Sequence, residues 1–319
     1  DVERSRGLGD VYKRQVVIPT LCRDEHFRRC IGSLAKCALA DQTELVIGLD
    51  YPAKESHNEG YGKIKEYLPP ITGFAKVTIL EATENLGAIG NTNMLKEYVF
   101  AKYDRYIYSE DDNEFSPCFL EFMNQALEKY EDNERITSVC AYTNPQYSAG
   151  NITRNVIFIY DSSAWGIGLW KSKEESYKQN CLDFNKRAGK ISVQLKLLKY
   201  YPMLLRTVLE MLSSGDNYGD ARRSSLNVMN DTYQVRPYKS MVRNWGHDGS
   251  GEHCGNRKDK FEKAELLNDE SFTLYDNAYV ERTKILDRAV FNNMMPKKNK
   301  NRVRIYFGIL CKMIKSQLS

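Results

Sequence analysis

Three adjacent carboxylates, Glu110-Asp111-Asp112, close an apolar run, YIYS, near the middle of the chain. Like charges this close repel one another, and at the end of a buried strand they call for a compensating cation. Successive side chains on a strand point to opposite faces, so Glu110 and Asp112 are expected on one side and Asp111 on the other. Hard cations such as Mg2+ and Mn2+ take oxygen ligands, often one or two carboxylates together with substrate phosphates. The triplet therefore suits a metal-bound nucleoside diphosphate. The plainer alternative is a solvated acidic loop at a helix N-terminus, and the acids alone fit it equally well. The apolar run directly before them favours the site. A second polar cluster, NWGHDGSGEHCGNR (244–257), holds His247 and His253, two of the four histidines. With Cys254 they lack the usual four-ligand pattern of a zinc site. Trp165 and Trp170, in AWGIGLW, offer aromatic faces for a sugar, or else belong to the core.

The elements that must position these residues alternate between β-rich runs and helical periods. VVIPT (16–20), ELVIGLD (44–50), KVTIL (76–80), DRYIYSEDD (104–112) and ITSVCAY (136–142) read as strands. Between them, Phe27, Ile31, Leu34 and Leu39 recur at helical spacing, GYGKIKEYL reads as a helix, and residues 88–102 use Ile89, Leu95 and Val99. Ser116-Pro117 opens another helix, with Phe119, Phe122, Met123, Ala126 and Tyr130 on one stripe. This alternation predicts an α/β fold with a mostly parallel, Rossmann-like sheet flanked by helices. In such sheets ligands bind beyond the carboxyl ends of the strands. Those ends carry Pro19-Thr20, Asp50 and the acidic triplet. The second half is less regular. VIFIY (156–160) reads as a strand, AWGIGLW (164–170) as a turn, and residues 188–213 as a helical region broken at Pro202. TYQVRPYKSMVRN returns to strand character. The last segment, 301–319, is basic and amphipathic, with Val303, Tyr306, Ile309 and Met313 set against Arg302, Arg304, Lys312 and Lys315.

Composition narrows the function classes. The chain has 319 residues, 42% hydrophobic and 28% charged, enough to bury a sizeable core. A net charge of +4 supplies no strong field for nucleic acid. Eight cysteines form no CxxC pair, which points to a reducing compartment rather than a disulfide framework. No stretch reaches the roughly 20 apolar residues of a membrane span. A cytoplasmic protein is expected, and the basic C-terminal stripe suits the inner face of a membrane. Residues 1–15 lack apolar periodicity, and DVYKRQ matches the translation of a transposon end used in preparing sequencing libraries. They are set aside as a sequencing scar. That leaves a main domain over 16–275 and a C-terminal tail over 276–319.

Four segments together resemble a known family: RDEHFRRCIGSL after the first strand, YSEDDNEFSPCFLEF, WGIGLW, and GHDGSGEHCG. The chain resembles glycosyltransferases of the GT-A fold, especially N-acetylglucosaminyltransferase I and bacterial family 2-like enzymes, over residues 16–257. The EDD…SP…F block is the most specific of the four. The resemblance implies a metal-dependent transferase moving a sugar from a nucleotide-sugar donor, UDP-linked, to a glycan or lipid-linked acceptor. Inversion and a place in bacterial surface polysaccharide synthesis are also implied. Arg23 would contact the nucleotide or phosphates, Asp50 the base, and Glu110 and Asp111 the ribose and sugar. Asp112 would bind Mn2+ or Mg2+, with His253 completing the metal site. Pro19, Thr20, Asn85 and Gly87 would line the donor pocket, and Trp165 would meet the acceptor. The catalytic base falls on Asp220 in NYGDARRSS, with Asp216 as its substitute. Two rivals stand beside this reading. A sugar-nucleotide nucleotidyltransferase would want a glycine-rich loop after the first strand, where TLCRDEHFRR has none. A non-catalytic carbohydrate-binding protein would explain the aromatics but not the acids.

Overall fold

The computed structural model describes residues 14–144, 156–216, 218–250, 265–267, 272–274, 295 and 298–318. The chain divides into two compact units, Asp1–Asn124 with Val242–Asn268 and Gln125–Met241 with Asp269–Ser319. No described helix is long and apolar enough to cross a membrane.

In the first unit, strands β1 (Arg14–Thr20), β2 (Thr43–Leu49), β3 (Lys76–Glu81) and β4 (Arg105–Tyr108) lie in the order β3-β2-β1-β4, and every pairing is parallel. β2 is buried along its whole length, as a central parallel strand must be, whereas β3 at the edge has no fully buried residue. Helix α1 (Asp24–Leu34) buries Phe27, Cys30, Ile31 and Leu34, the i, i+3, i+4, i+7 stripe of an amphipathic helix. Asp24 and Glu25 sit in its first turn, where the helix dipole favours anions. Helix α2 (Asn58–Tyr67) buries Ile64. Helix α3 (Gly87–Phe100) packs on β1 and β2 through Asn91, Leu95 and Val99. The expected anchor Ile89 is instead 71% exposed. Asn91 takes the inward position because its amide donates to the Gly48 carbonyl of β2 at 2.9 Å, and a Cβ at Gly48 would lie 2.3 Å from Asn91 Oδ1. The short strand β5 (Asn113–Phe115) leads through Ser116-Pro117 into α4 (Phe119–Lys129), whose predicted stripe is buried throughout.

The second unit has a mixed sheet. Strands β6 (Ile136–Cys140), β7 (Val156–Ile159), β8 (Ile167–Trp170) and β9 (Tyr233–Pro237) lie in the order β8-β6-β9-β7, with β6 parallel to β9 and antiparallel to β8. The expected turn at 164–170 is thus corrected: Ile167–Trp170 is a fully buried strand, and Trp170 donates its indole N–H to the Leu127 carbonyl at 3.0 Å. Two glycines in an otherwise apolar run read locally as a turn, while pairing with β6 fixes it as a strand. Helices α5 (Lys171–Leu182), α6 (Phe184–Ala188), α7 (Ile191–Tyr200), α8 (Pro202–Ser214) and α9 (Gly219–Asn230) follow. Pro202 stands at the first turn of α8, so the predicted break is a new helix start. The chain then forms β10 (Val242–Asn244), which pairs antiparallel with β5 in the first unit, and ends in α10 (Asn299–Leu318).

Candidate functional site

The polar ends of the first unit's strands come together. β1 ends on Thr20, β2 is followed by Asp50, and the acidic triplet follows β4. The Asp50 amide donates to the Thr20 carbonyl at 2.9 Å, and the Ser109 amide to the Val17 carbonyl at 3.1 Å. The triplet does not continue the strand, which corrects the expected alternation of faces. β4 stops at Tyr108, and the chain turns so that the Asn113 amide donates to the Glu110 carbonyl at 3.4 Å. In this turn Asp111 and Asp112 both meet the same partner, Arg23.

Arg23 lies just ahead of α1 and forks across the two acids. Its Nη1 donates to Asp112 Oδ2 at 2.8 Å, and its Nη2 to Asp111 Oδ1. Thr20 Oγ1 donates to Asp111 Oδ2 at 2.9 Å, and Asn244 Nδ2 to Asp112 Oδ1 at 2.7 Å. Asp111 and Asp112 are 6% and 5% exposed. Burial raises the Asp111 carboxyl above its ordinary range and Asp112 adds to the rise, while Arg23 opposes it. Burial disfavours the Arg23 charge, but the two carboxylates outweigh it and hold the guanidinium protonated far above the usual range. The remaining triplet member, Glu110, is half-buried.

Asn244 and Gly246 are the site residues that sequence reasoning missed. β10 pairs Asn244 with Asn113, directly after the acids, and the Trp245 amide donates to the Asp112 carbonyl at 2.9 Å. Gly246 then passes so close that a Cβ there would lie 2.0 Å from Asp112 Oδ2 and 3.2 Å from Arg23 Nη1. The only signal for them is the run NWGHDG, whose partner strand cannot be read from spacing. The following loop is tied to α1: His26 Nε2 lies 3.1 Å from Asp248 Oδ2, and the Ser250 hydroxyl and amide donate to Asp248 Oδ1. Although burial works the other way, these Ser250 and His26 contacts bring the Asp248 carboxyl down to about 2. Arg29 of α1 stacks 4.2 Å above the Trp245 ring.

Asp50 and Asn85 form a second knot. Asp50 Oδ1 accepts the amides of Tyr51 and Leu86, each at 2.8 Å, and Asn85 Nδ2 donates to the Tyr51 carbonyl at 2.6 Å. Gly87 opens α3 with a φ of 68°, the left-handed region that glycine enters without strain. The structure thus places Asp50, Asn85 and Gly87 around the entry to α3. Pro19 is half-buried within β1, paired opposite Gly48. His247 is half-buried, and His253 lies outside the described residues.

The remaining predicted residues belong to the second unit. Asp220 sits in the first turn of α9 and lines a cavity of about 400 Å3 with Asp161, Ser162, Tyr201 and Ser224. The surrounding protein, with Asp161 beside it, pushes the Asp220 carboxyl up to about 6. The residue is nonetheless exposed, so water screens part of that rise. Asp161 is held by Arg236, a fully buried guanidinium whose Nη2 donates to the Asp161 carbonyl at 3.0 Å and whose Nε donates to Gln234 Oε1 at 2.8 Å. Asp216 is exposed past the end of α8. Trp165 is half-buried, with its ring edge-on to Tyr142 at 4.5 Å. A larger cavity of about 500 Å3 is lined by Lys173, Tyr177, Asn180, Arg223 and Asn227. Lys173 is spent structurally, donating to the carbonyls of Tyr130, Asn133 and Ile136, and burial lowers its pKa to about 8.

Whether the acidic pair takes a divalent cation can be read from its oxygens. The donor chemistry is right, because two buried carboxylates and a hydroxyl are hard oxygen ligands. All four carboxylate oxygens of Asp111 and Asp112, however, already accept a bond from Arg23, Thr20 or Asn244. Among the described residues no group of three or more His, Cys, Asp or Glu is gathered to hold a metal. In this arrangement the cation between the carboxylates is Arg23, and a divalent ion would reach Asp112 Oδ2 only by displacing the Arg23 contact.

The fold is that of an α/β protein with a cluster of polar and charged side chains at the carboxyl ends of parallel strands. No protein-family model matches the chain, and no curated protein does. Among solved structures it is similar to the mannosyltransferase PcManGT from Pyrobaculum calidifontis, in complex with GDP-Man and Mn2+. That likeness has 13% identity and a TM-score of 0.38, over 52% of this chain and 47% of that one. It is also similar to S. aureus TarS, at 13% identity and a TM-score of 0.36, over 52% of this chain and 30% of that one. The shorter TarS 1-349 gives 13% identity and a TM-score of 0.35, with 49% of that chain covered. The chain spans less than half the length of each.

Proposed function

We propose that the chain is a glycosyltransferase that takes a nucleotide-sugar donor, UDP-linked, and transfers the sugar with inversion to a glycan or lipid-linked acceptor. The observation that carries this reading is the gathering of Thr20, Arg23, Asp50, Asp111 and Asp112 beyond the carboxyl ends of β1, β2 and β4, where open α/β sheets bind nucleotides. In this reading Asp50 and Asn85 hold the loop that meets the base, and Glu110 and Asp111 face the ribose and sugar. Arg23 is the cation nearest the diphosphate. Asp112 is the acid assigned to a divalent ion, which reaches it only in exchange for the Arg23 contact.

The proton is assigned to Asp220. A carboxylate raised above its ordinary range, to no more than about 6, is mostly ionised at neutral pH yet basic enough to take a hydroxyl proton. As the acceptor oxygen bonds to the anomeric carbon, the bond from that carbon to the diphosphate oxygen breaks. The electron pair leaves with the diphosphate, and the acceptor proton passes to Asp220. Trp165 is assigned to the apolar face of the acceptor.

Titrating UDP onto the wild type and Asp112→Asn, with and without Mn2+, tests the donor site. Binding of UDP that Mn2+ strengthens and the substitution weakens is expected. Metal-independent binding unaffected by Asp112→Asn overturns the role of Asp112, and no binding of UDP or GDP overturns the whole reading. Transfer assayed with a panel of nucleotide sugars separates the transferase from a carbohydrate-binding protein.

A further inference from the structure

Helix α10 carries two apolar faces, and among the described residues only one of them is buried within the second unit. Ile309 and Met313 turn inward to 1% and 4% exposure, on the side where Lys312 donates to Glu210 of α8 at 2.7 Å. Ser316 accepts from Gln194 of α7 at 3.1 Å on the same side. This is the face that Tyr306, Ile309 and Met313 mark in the sequence. Val303 leaves that set and begins another. Val303, Phe307, Leu310 and Ile314 follow at intervals of four, three and four, so they stand in one row along the helix. Each is between 45% and 69% exposed. Beside the helix, on α7, Ile191 and Leu195 lie one turn apart and are exposed as well.

Single exposed apolar residues are ordinary, but a row at helical period is an interaction face. The charges around it indicate what covers it. Lys300, Arg304 and Lys315 are exposed, and helical geometry puts all three on one flank of the row. Helix α10 contains no Asp or Glu. A second copy of α10 laid antiparallel against this face would set basic flank near basic flank, which like-charge repulsion disfavours. An anionic bilayer surface answers both features. Phe307, Leu310 and Ile314 enter the boundary between headgroups and acyl chains, while Lys300, Arg304 and Lys315 meet lipid phosphates. We infer that α10 docks the protein on anionic membrane, lying in the plane of the surface. This surface is independent of the proposed transfer reaction and stands or falls without it.

Sedimentation of the full chain with vesicles tests the inference. The probes are vesicles of phosphatidylcholine alone and vesicles of phosphatidylcholine mixed with phosphatidylglycerol. Binding to the anionic vesicles should exceed binding to neutral ones by about tenfold or more and weaken as salt screens the charges. Phe307→Ser with Ile314→Ser, both at exposed positions, should reduce it at least about tenfold. Lys300→Ser, Arg304→Ser and Lys315→Ser together should erase the preference for anionic lipid while leaving the apolar row intact. Thermal unfolding of each variant shows that it is folded. Three results would overturn the inference: no binding of the wild type, equal binding to both vesicles, or binding unchanged in both variants. Self-association of the wild type, abolished by Phe307→Ser with Ile314→Ser in the absence of vesicle binding, would assign the face to a second copy instead.

Discussion

Replacing Arg23 by Gln removes the guanidinium that both Asp111 and Asp112 bind, at positions 6% and 5% exposed. Breaking a buried ion pair by deleting one partner costs about 3–5 kcal/mol, because a desolvated charge is left behind. Arg23 keeps 24% of its side chain exposed, so water reaches the vacated position and the low end, about 3 kcal/mol, is expected. For a chain of 319 residues that lowers Tm by roughly 4–5 °C. Urea unfolding with an unchanged m-value measures the loss directly. The diagnostic arm is Arg23→Gln combined with Asp111→Asn, which removes one of the two opposed charges and should recover most of the deficit. Mn2+ provides an independent arm: with the guanidinium gone, the ion should stabilise Arg23→Gln more than the wild type, by mass action on the folded state. A single variant within about 0.5 kcal/mol of the wild type would refute the reasoning. So would a double variant no more stable than the single one.

Gly246→Ala puts a methyl 2.0 Å from Asp112 Oδ2, so the Asp112 and Arg23 contacts must shift; UDP affinity should fall at least about tenfold in calorimetry while the protein remains folded. Asp220→Asn should lower kcat by roughly 10^2–10^4-fold and remove from the pH profile an acid limb lying above the ordinary carboxylate range and no higher than about 6, with donor affinity retained. Glu44 tests the sheet itself. Although burial works against it, bonds from Tyr103, Thr78 and Lys76 draw its carboxyl from 4.5 down to about 2. A depressed folded pKa stabilises above the unfolded value and loses that contribution as pH falls. The wild type should therefore exceed Glu44→Gln by roughly 1–3 kcal/mol at neutral pH and lose that margin between about pH 4.5 and 2 in acid titrations of stability.

The sequence by itself determined the alternating elements of the first unit, because buried parallel strands and amphipathic helices leave strong local patterns. Val16–Ile18, ELVIGL and the Phe119–Tyr130 stripe are buried as their periodicity requires. The placement of Asp50 and of the acidic triplet beyond strand ends follows from that alternation. What only the tertiary structure decided depends on partners far along the chain. The face of α3 turns on the missing side chain of Gly48, which admits Asn91 and leaves Ile89 in solvent. Ile167–Trp170 is a strand because β6 pairs with it, against the local pull of two glycines. The acidic triplet kept its place but changed its chemistry. A turn after Tyr108 brings Asp111 and Asp112 onto one guanidinium, and Asn244 and Gly246 arrive from more than a hundred residues away to close the other side. Spacing shows that carboxylates need a cation; which cation lies between them is set by the fold, which brings Arg23 to them first.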